Sequence, residues 1–135
     1  LIKMQPQVFD MTYEDFGVAL EKWNYSCIIP AGTTLPATAE KKYSLVEDYQ
    51  SQLNIKILSR NSEAQNALKT YDPGIEYLDE LIMTNIPPMK MDEVDVVVRF
   101  EITKQYELKT DVTLVKKDGT VVDKENISIN RQSTM

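Results

Sequence analysis

The stretch Gln52-Leu-Asn-Ile-Lys-Ile-Leu58 alternates between polar and apolar side chains. It places Leu53, Ile55 and Ile57 on one face of an extended chain and the polar residues on the other. This period of two is typical of a half-buried strand, because successive side chains of a strand point to opposite faces. We therefore predict a β-strand here with one face in the core.

The same alternation recurs further along the chain. Apolar residues of one parity occur at Val96, Val98, Phe100 and Ile102, then at Leu108, Val112 and Leu114, and further apolar residues at Val121, Val122, Ile127 and Ile129 continue the pattern. Between the last two groups, Lys117-Asp-Gly-Thr120 predicts a hairpin turn, since Asp-Gly accepts the positive φ angles of such turns. Prolines punctuate the remaining segments, as expected at strand ends and in loops. The pattern predicts an all-β antiparallel sandwich.

Two segments are ambiguous by pattern alone. Residues 10–22 alternate around Phe16 and Val18 but also suit a short amphipathic helix, and Gly17 favours the strand. Residues 62–69 contain fair helix formers, yet they lead into the turn sequence Tyr71-Asp-Pro-Gly74, so a long polar loop is an equal alternative.

The charge balance of the chain is acidic. Its 135 residues carry 15 Lys and Arg against 21 Asp and Glu, a net charge of −6. An acidic protein opposes binding to nucleic acid and to anionic membrane surfaces, because both depend on basic side chains that meet phosphates. We therefore expect neither nucleic acid nor a membrane as a partner. The length fits one domain.

The chain lacks the residues on which most hydrolytic active sites depend. It has no histidine and one cysteine, Cys27, which excludes Ser-His and Cys-His pairs and imidazole metal sites. The acidic residues around Asp92 lack the spacing of a calcium loop. We expect no enzyme, metal or cofactor in this chain. A buried, unreactive Cys27 suits a cytoplasmic location, which we take as the default.

Five segments together resemble one known family. They are Asp10-Met-Thr-Tyr-Glu-Asp-Phe-Gly17-Val, Cys27-Ile-Ile-Pro-Ala-Gly-Thr-Thr-Leu-Pro36, Tyr43-Ser44 to Leu53-Asn-Ile-Lys-Ile57, Asn85-Ile-Pro-Pro88 and Val96-Val-Val-Arg-Phe-Glu-Ile102. Their order and spacing are similar to those of the substrate-binding domain of the 70-kDa heat-shock (DnaK-type) chaperones. The chain resembles a divergent member of that family.

This resemblance implies a function and a site. It implies an eight-stranded sandwich whose loops at one end form a channel for an extended hydrophobic segment of an unfolded protein. Position by position, it implies a central pocket of Val18, Tyr43, Leu53, Ile55 and Val96, peptide-backbone contacts at Leu20, Ser44 and Gln50, and an arch over the peptide at Glu21 and Val46. Taken alone, an apolar residue on an alternating strand is more simply a core residue.

The resemblance also implies an organisation and partners. Residues 1–9 correspond to an interdomain linker and residues 10–135 to the peptide-binding domain. ATP would belong to a nucleotide-binding domain outside this chain, and that domain and co-chaperones would be partners. The apolar residues within 1–9 also suggest self-association, by entry into a neighbouring molecule's channel.

The chain departs from the family pattern near the channel. Lys22-Trp-Asn-Tyr25 replaces a Gly-Gly turn, Glu21 replaces an apolar arch residue, and the segment Arg60–Tyr77 is longer than usual. From Glu21 and the net charge we expect a preference for peptides with basic flanks.

Two alternatives remain open from the sequence. The groove has degenerated in one of them, and the domain is a regulatory or scaffolding module. The other is an unrelated adhesion or carbohydrate-binding sandwich, for which glycosylation sequons at Asn24 and Asn126 are a weak hint. Clustering of Trp23, Tyr25 and Tyr49 on one exposed face would support it.

Overall fold

The computed structural model describes residues 7–20 and 23–131. Its elements, in chain order, are β1 (Glu14–Ala19), β2 (Ser26–Ile29), β3 (Ala37–Tyr43), β4 (Leu53–Asn61), β5 (Ile75–Met83), a 3-10 turn (Met91–Glu93), β6 (Val94–Ile102), β7 (Glu107–Lys116) and β8 (Val121–Asn130).

The strands form two four-stranded antiparallel sheets. The first has the order β2-β1-β4-β5 and the second the order β3-β6-β7-β8. This architecture confirms the predicted all-β sandwich of about eight strands. No helix in the described part of the chain is long and apolar enough to cross a membrane.

The alternating residues meet between the sheets. Leu53, Ile55 and Ile57 of β4 are fully buried in the same cluster as the apolar residues of β6 and β7. The predicted hairpin at 117–120 is also confirmed: the Lys116 N–H donates to the Thr120 carbonyl, N···O 2.8 Å, and Gly119 has φ +95°.

In the first ambiguous segment, Glu14–Ala19 forms the strand β1, as Gly17 indicates, and residues 21 and 22 lie outside the described residues. A Cβ atom at Gly17 would lie 2.1 Å from the Ser26 carbonyl oxygen and 2.8 Å from the Tyr25 ring. The register between β1 and β2 shifts at this point, next to Phe16. Glycine therefore allows β2 to pair closely with β1 while Tyr25 lies across the strand.

The segment between β4 and β5 is a loop that consists of successive turns. Of the two alternatives for residues 62–69, the structure shows the polar loop and not the helix. Its Ala67 is buried, and a second small apolar cluster of Ala19, Tyr25 and Leu58 lies on the face of the first sheet opposite the main core. Leu58 follows the inward-facing Ile57, so its side chain points to this outer face. The Tyr25 N–H donates to the Leu68 carbonyl, so the segment between β4 and β5 lies against this outer face of the first sheet.

The strand ends place four loops together. Residues 20 and 23–25, 44–52, 84–93 and 117–120 follow or precede strands at one end of both sheets, which we call the loop end. Backbone hydrogen bonds from Tyr49 to Met89 and from Lys117 to Glu93 tie three of these loops together. At the opposite end, the Phe9 ring packs 4.8 Å from that of Tyr106, so the end of the predicted linker contacts the domain.

Candidate functional site

A cavity of about 240 Å³ opens at the loop end, between the edges of the two sheets. Leu20, Asn24 and Ser26 line it from the β1–β2 side, and Tyr43 and Ser44 line it from the end of β3. Leu20, Tyr43 and Ser44 are residues that the sequence analysis assigns to peptide contact, and the structure brings them together. The sequence predicts neither Asn24 nor Ser26 as a contact residue. Asn24 lies in the loop that departs from the family pattern, and Ser26 is the first residue of β2.

Tyr43 is the largest side chain of the cavity wall. Its ring is half-buried against the main core, and its Oη atom lies 2.8 Å from Ser26 Oγ. Burial raises the pKa of Tyr43 and the hydrogen bond with Ser26 lowers it in part. The phenol is therefore protonated at neutral pH, and it joins β3 of one sheet to β2 of the other.

The other four residues of the predicted pocket do not line the cavity. Val18, Leu53, Ile55 and Val96 are fully buried in the main core. Val96 pairs directly with Tyr43 across β3 and β6. In this structure these four side chains therefore pack as core, and the Tyr43 ring packs against that core.

The remaining predicted contact residues have separate places. Gln50 shapes its own loop, because its Oε1 accepts the Val46 N–H at 2.9 Å and its Nε2 donates to the Gln52 carbonyl at 2.7 Å. Val46 is exposed on this loop. Glu21 lies outside the described residues.

The long segment after β4 reaches the cavity wall. The Tyr25 N–H donates to the Leu68 carbonyl at 2.9 Å, and the Thr70 N–H donates to the Trp23 carbonyl at 2.7 Å. The Lys69 ammonium donates to Asn24 Oδ1. The segment between β4 and β5 thus fixes the backbone on both sides of Asn24, a cavity residue, through a short antiparallel pairing.

A buried ion pair anchors the same segment. Arg60 Nε donates to Asp15 Oδ2 at 2.9 Å, and the two side chains are 11% and 3% exposed. Arg60 also donates to the Ala67 carbonyl, while Gln65 donates to Asp15. The guanidinium stacks 4.9 Å from the Tyr25 ring. These contacts attach the segment between β4 and β5 to β1 through Asp15 and to Tyr25, which precedes the cavity residue Ser26.

A second, larger cavity of about 590 Å³ lies at the opposite end of the sandwich. Its central charged groups are paired, because Arg131 Nη2 donates to Glu14 Oε1 at 2.8 Å and to Glu76 Oε2 at 2.9 Å. Within residues 7–20 and 23–131, no three His, Cys, Asp or Glu side chains are grouped as metal ligands.

Cys27 is half-buried next to the second apolar cluster. Burial raises its pKa, and the nearby Asp15 carboxylate raises it further. The thiol is therefore protonated at neutral pH, which fits the unreactive role expected for it.

The aromatic residues named for a carbohydrate-binding face do not share one exposed surface. Tyr25 is buried beneath Arg60. Trp23 is exposed and makes an edge contact with Tyr71, ring centroids 5.9 Å apart. The clustering that would favour this alternative is therefore not observed.

Comparison with known proteins gives a distant relative. The chain is similar to a heat shock cognate HSP70 protein of Trypanosoma brucei brucei, 27% identical over 95 residues. The similarity covers 70% of this chain and 13% of the trypanosome protein, so the chain spans a small part of that relative's length. No protein-family model matches the sequence.

Proposed function

We propose that this chain is a peptide-binding β-domain of an HSP70-type chaperone, which holds short, extended, hydrophobic segments of unfolded proteins. The observation that carries the proposal is the cavity at the loop end, whose wall contains Leu20, Tyr43 and Ser44. The distant similarity to a heat shock cognate protein supports it.

The size and walls of the cavity suit one side chain of a peptide. Its volume of about 240 Å³ lies below the range of about 300–1,000 Å³ typical of sites for whole drug-sized ligands. Leu20 and the Tyr43 ring offer apolar surface, and burying a leucine of the peptide there contributes roughly 1.5–3 kcal/mol.

Polar atoms beside the cavity suit the backbone of an extended peptide. Asn24, Ser26 and Ser44 carry amide and hydroxyl groups that both donate and accept hydrogen bonds. Each hydrogen bond to a peptide amide contributes about 0.5–1.5 kcal/mol. These hydrogen bonds and one anchored side chain favour binding, whereas ordering the peptide opposes it. From this balance we expect micromolar affinity.

In this proposal the chain itself is not an enzyme and holds no cofactor. ATP would be used by a nucleotide-binding domain outside this chain, and that domain and co-chaperones would be further partners. The protein would act in the cytoplasm on unfolded chains.

A titration with a blocked cavity tests the proposal. Fluorescence anisotropy of a labelled heptapeptide with a leucine centre is measured against the wild type, Ser44→Trp and Thr38→Trp. Ser44 is exposed at the cavity, whereas Thr38 is an exposed residue elsewhere on β3. We expect micromolar binding that Ser44→Trp removes and Thr38→Trp leaves intact. Equal binding by both variants would place the peptide elsewhere.

One observation favours a second candidate function, a closed groove that serves as a regulatory or scaffolding module. Val18, Leu53, Ile55 and Val96 are fully buried, and the Tyr43–Ser26 hydrogen bond spans the gap between the sheets. Under this alternative the titration gives no binding for peptides of varied sequence, even with Tyr43→Phe, while the domain remains folded by circular dichroism.

A further inference from the structure

Two lysine ammonium groups lie next to residues of the cavity wall. Lys69 Nζ donates to Asn24 Oδ1, and Asn24 lines the cavity. Lys41 Nζ donates to the Cys27 carbonyl at 2.9 Å, one residue from the cavity's Ser26. The ammonium groups of Lys41 and Lys69 therefore both lie near the β2 side of the cavity.

The fold holds both lysines at this position. Lys41 is two residues before Tyr43 on β3, so its side chain leaves the strand on the same face as the Tyr43 ring. Lys69 belongs to the inserted segment, between the residues that pair with Trp23 and Tyr25. Neither contact uses more than one of the three N–H donors of an ammonium group, so each lysine retains donors for a ligand.

We propose, on the basis of the peptide-binding function proposed above, that Lys41 and Lys69 select hydrophobic segments that carry an acidic residue beside the anchoring side chain. An ammonium at the rim of a site attracts carboxylates and disfavours other cations. Lys69 would then be a specificity residue supplied by the insertion.

This preference is opposite to the one expected from the net charge of −6. At physiological ionic strength the Debye length is about 8 Å, so exposed charges elsewhere on the domain are largely screened at the cavity. The ammonium groups next to the wall act at shorter range. Glu21, the other basis for the expectation of basic flanks, lies outside the described residues.

Three matched heptapeptides test the proposal. They share a leucine centre and carry serine, aspartate or lysine flanks, and their affinities are measured by anisotropy at low and high salt. We expect the aspartate peptide to bind about 2- to 10-fold more tightly than the serine peptide, from two rim charge pairs, and the lysine peptide to bind more weakly. High salt should reduce these differences.

Charge-removing variants assign the effect to residues. Lys41→Gln with Lys69→Gln should make the three affinities equal. The matched control, Lys104→Gln with Lys124→Gln, removes two exposed lysines, one in the β6–β7 turn at the far end and one on β8. It should leave the order unchanged.

The outcomes separate this inference from the function on which it rests. Tighter binding of the lysine peptide, or an aspartate preference that survives Lys41→Gln with Lys69→Gln, would overturn the inference and leave peptide binding intact. Absence of binding even for the serine peptide, by folded protein, would overturn the proposed function and this inference with it.

Discussion

The hydroxyl oxygens of Tyr43 and Ser26 lie 2.8 Å apart and connect the edge strands β3 and β2 of the two sheets. Both residues line the cavity, and the Tyr43 ring packs on the core residues that the sequence assigns to a peptide pocket. This hydrogen bond therefore joins the edges of the two sheets at the proposed site.

Tyr43→Phe should loosen this closure. We expect it to lower the free energy of unfolding by about 1 kcal/mol, the value of one hydrogen bond. If the phenol must move to admit a peptide side chain, association becomes up to about fivefold faster, the factor that 1 kcal/mol gives. Stopped-flow anisotropy measures this rate, with Tyr77→Phe, an exposed tyrosine on β5, as the control. An unchanged association rate would show that the bond is only structural.

Asp15→Asn should destabilise the domain strongly. It leaves the Arg60 guanidinium buried without its carboxylate partner. Breaking a buried ion pair in this way costs about 3–5 kcal/mol. Urea unfolding measures the loss.

The control for Asp15→Asn is Asp95→Asn, whose partner Lys117 is 58% exposed. An exposed pair contributes at most about 1 kcal/mol. If the two variants lost equal stability, the Asp15–Arg60 pair would not be the anchor of the insertion that its burial indicates.

The sequence predicts the fold well because hydrophobic alternation is a local signal. The inward residues of β4, β6 and β7 follow from their spacing, and Asp118-Gly119 marks the last hairpin. The insertion carries no such period, and its place depends on backbone hydrogen bonds to Trp23 and Tyr25, more than 40 residues away in the chain. No spacing rule predicts a partner at that distance.

The candidate site is only partly predictable for a related physical reason. The same alternation is produced by a core residue and by a residue beneath a pocket, so it cannot distinguish the two for Leu53 or Ile55. Tyr43 and Ser44 follow from the resemblance alone. Asn24 and Lys69 meet only because the loop and the insertion, both departures from the family pattern, pair with each other.

Gly17→Ala should displace β2. The added methyl group would lie 2.1 Å from the Ser26 carbonyl oxygen, which belongs to the backbone and cannot rotate away. Overpacking of this kind lowers the free energy of unfolding by about 1–3 kcal/mol, and by more when the backbone must move. Since Ser26 lines the cavity, peptide affinity should fall as well. Gly32→Ala is the control for peptide affinity. A Cβ there meets no atom within 4 Å, but the φ of +83° makes alanine cost about 1–2 kcal/mol in stability. Gly32 does not line the cavity, so this variant should leave peptide affinity unchanged. An equal loss of peptide affinity in the two variants would contradict the role given to the close approach at Gly17.

Self-association through residues 1–9 remains a prediction of the sequence. Residues 1–6 lie outside the described residues, whereas Phe9 packs on Tyr106 and should be kept. Sedimentation velocity over a hundredfold dilution should show a concentration-dependent increase in size that deletion of residues 1–6 removes. A profile unchanged by dilution would exclude the idea.

Stability should fall above about pH 10, because burial raises the pKa of Tyr25 and of Tyr106 well above the ordinary tyrosine value. In the unfolded chain both phenols ionise near pH 10, whereas in the folded chain they stay protonated. Their contribution to stability is therefore complete below pH 10 and is lost as the pH rises above it.

Urea unfolding between about pH 8 and 11 measures the slope of the unfolding free energy against pH. Tyr25→Phe and Tyr106→Phe should each reduce this slope. Tyr106 also accepts the Tyr13 N–H at 3.1 Å, so its variant lowers stability at every pH, and the slope is the informative quantity. A slope that neither variant changes would show that other groups cause the alkaline transition.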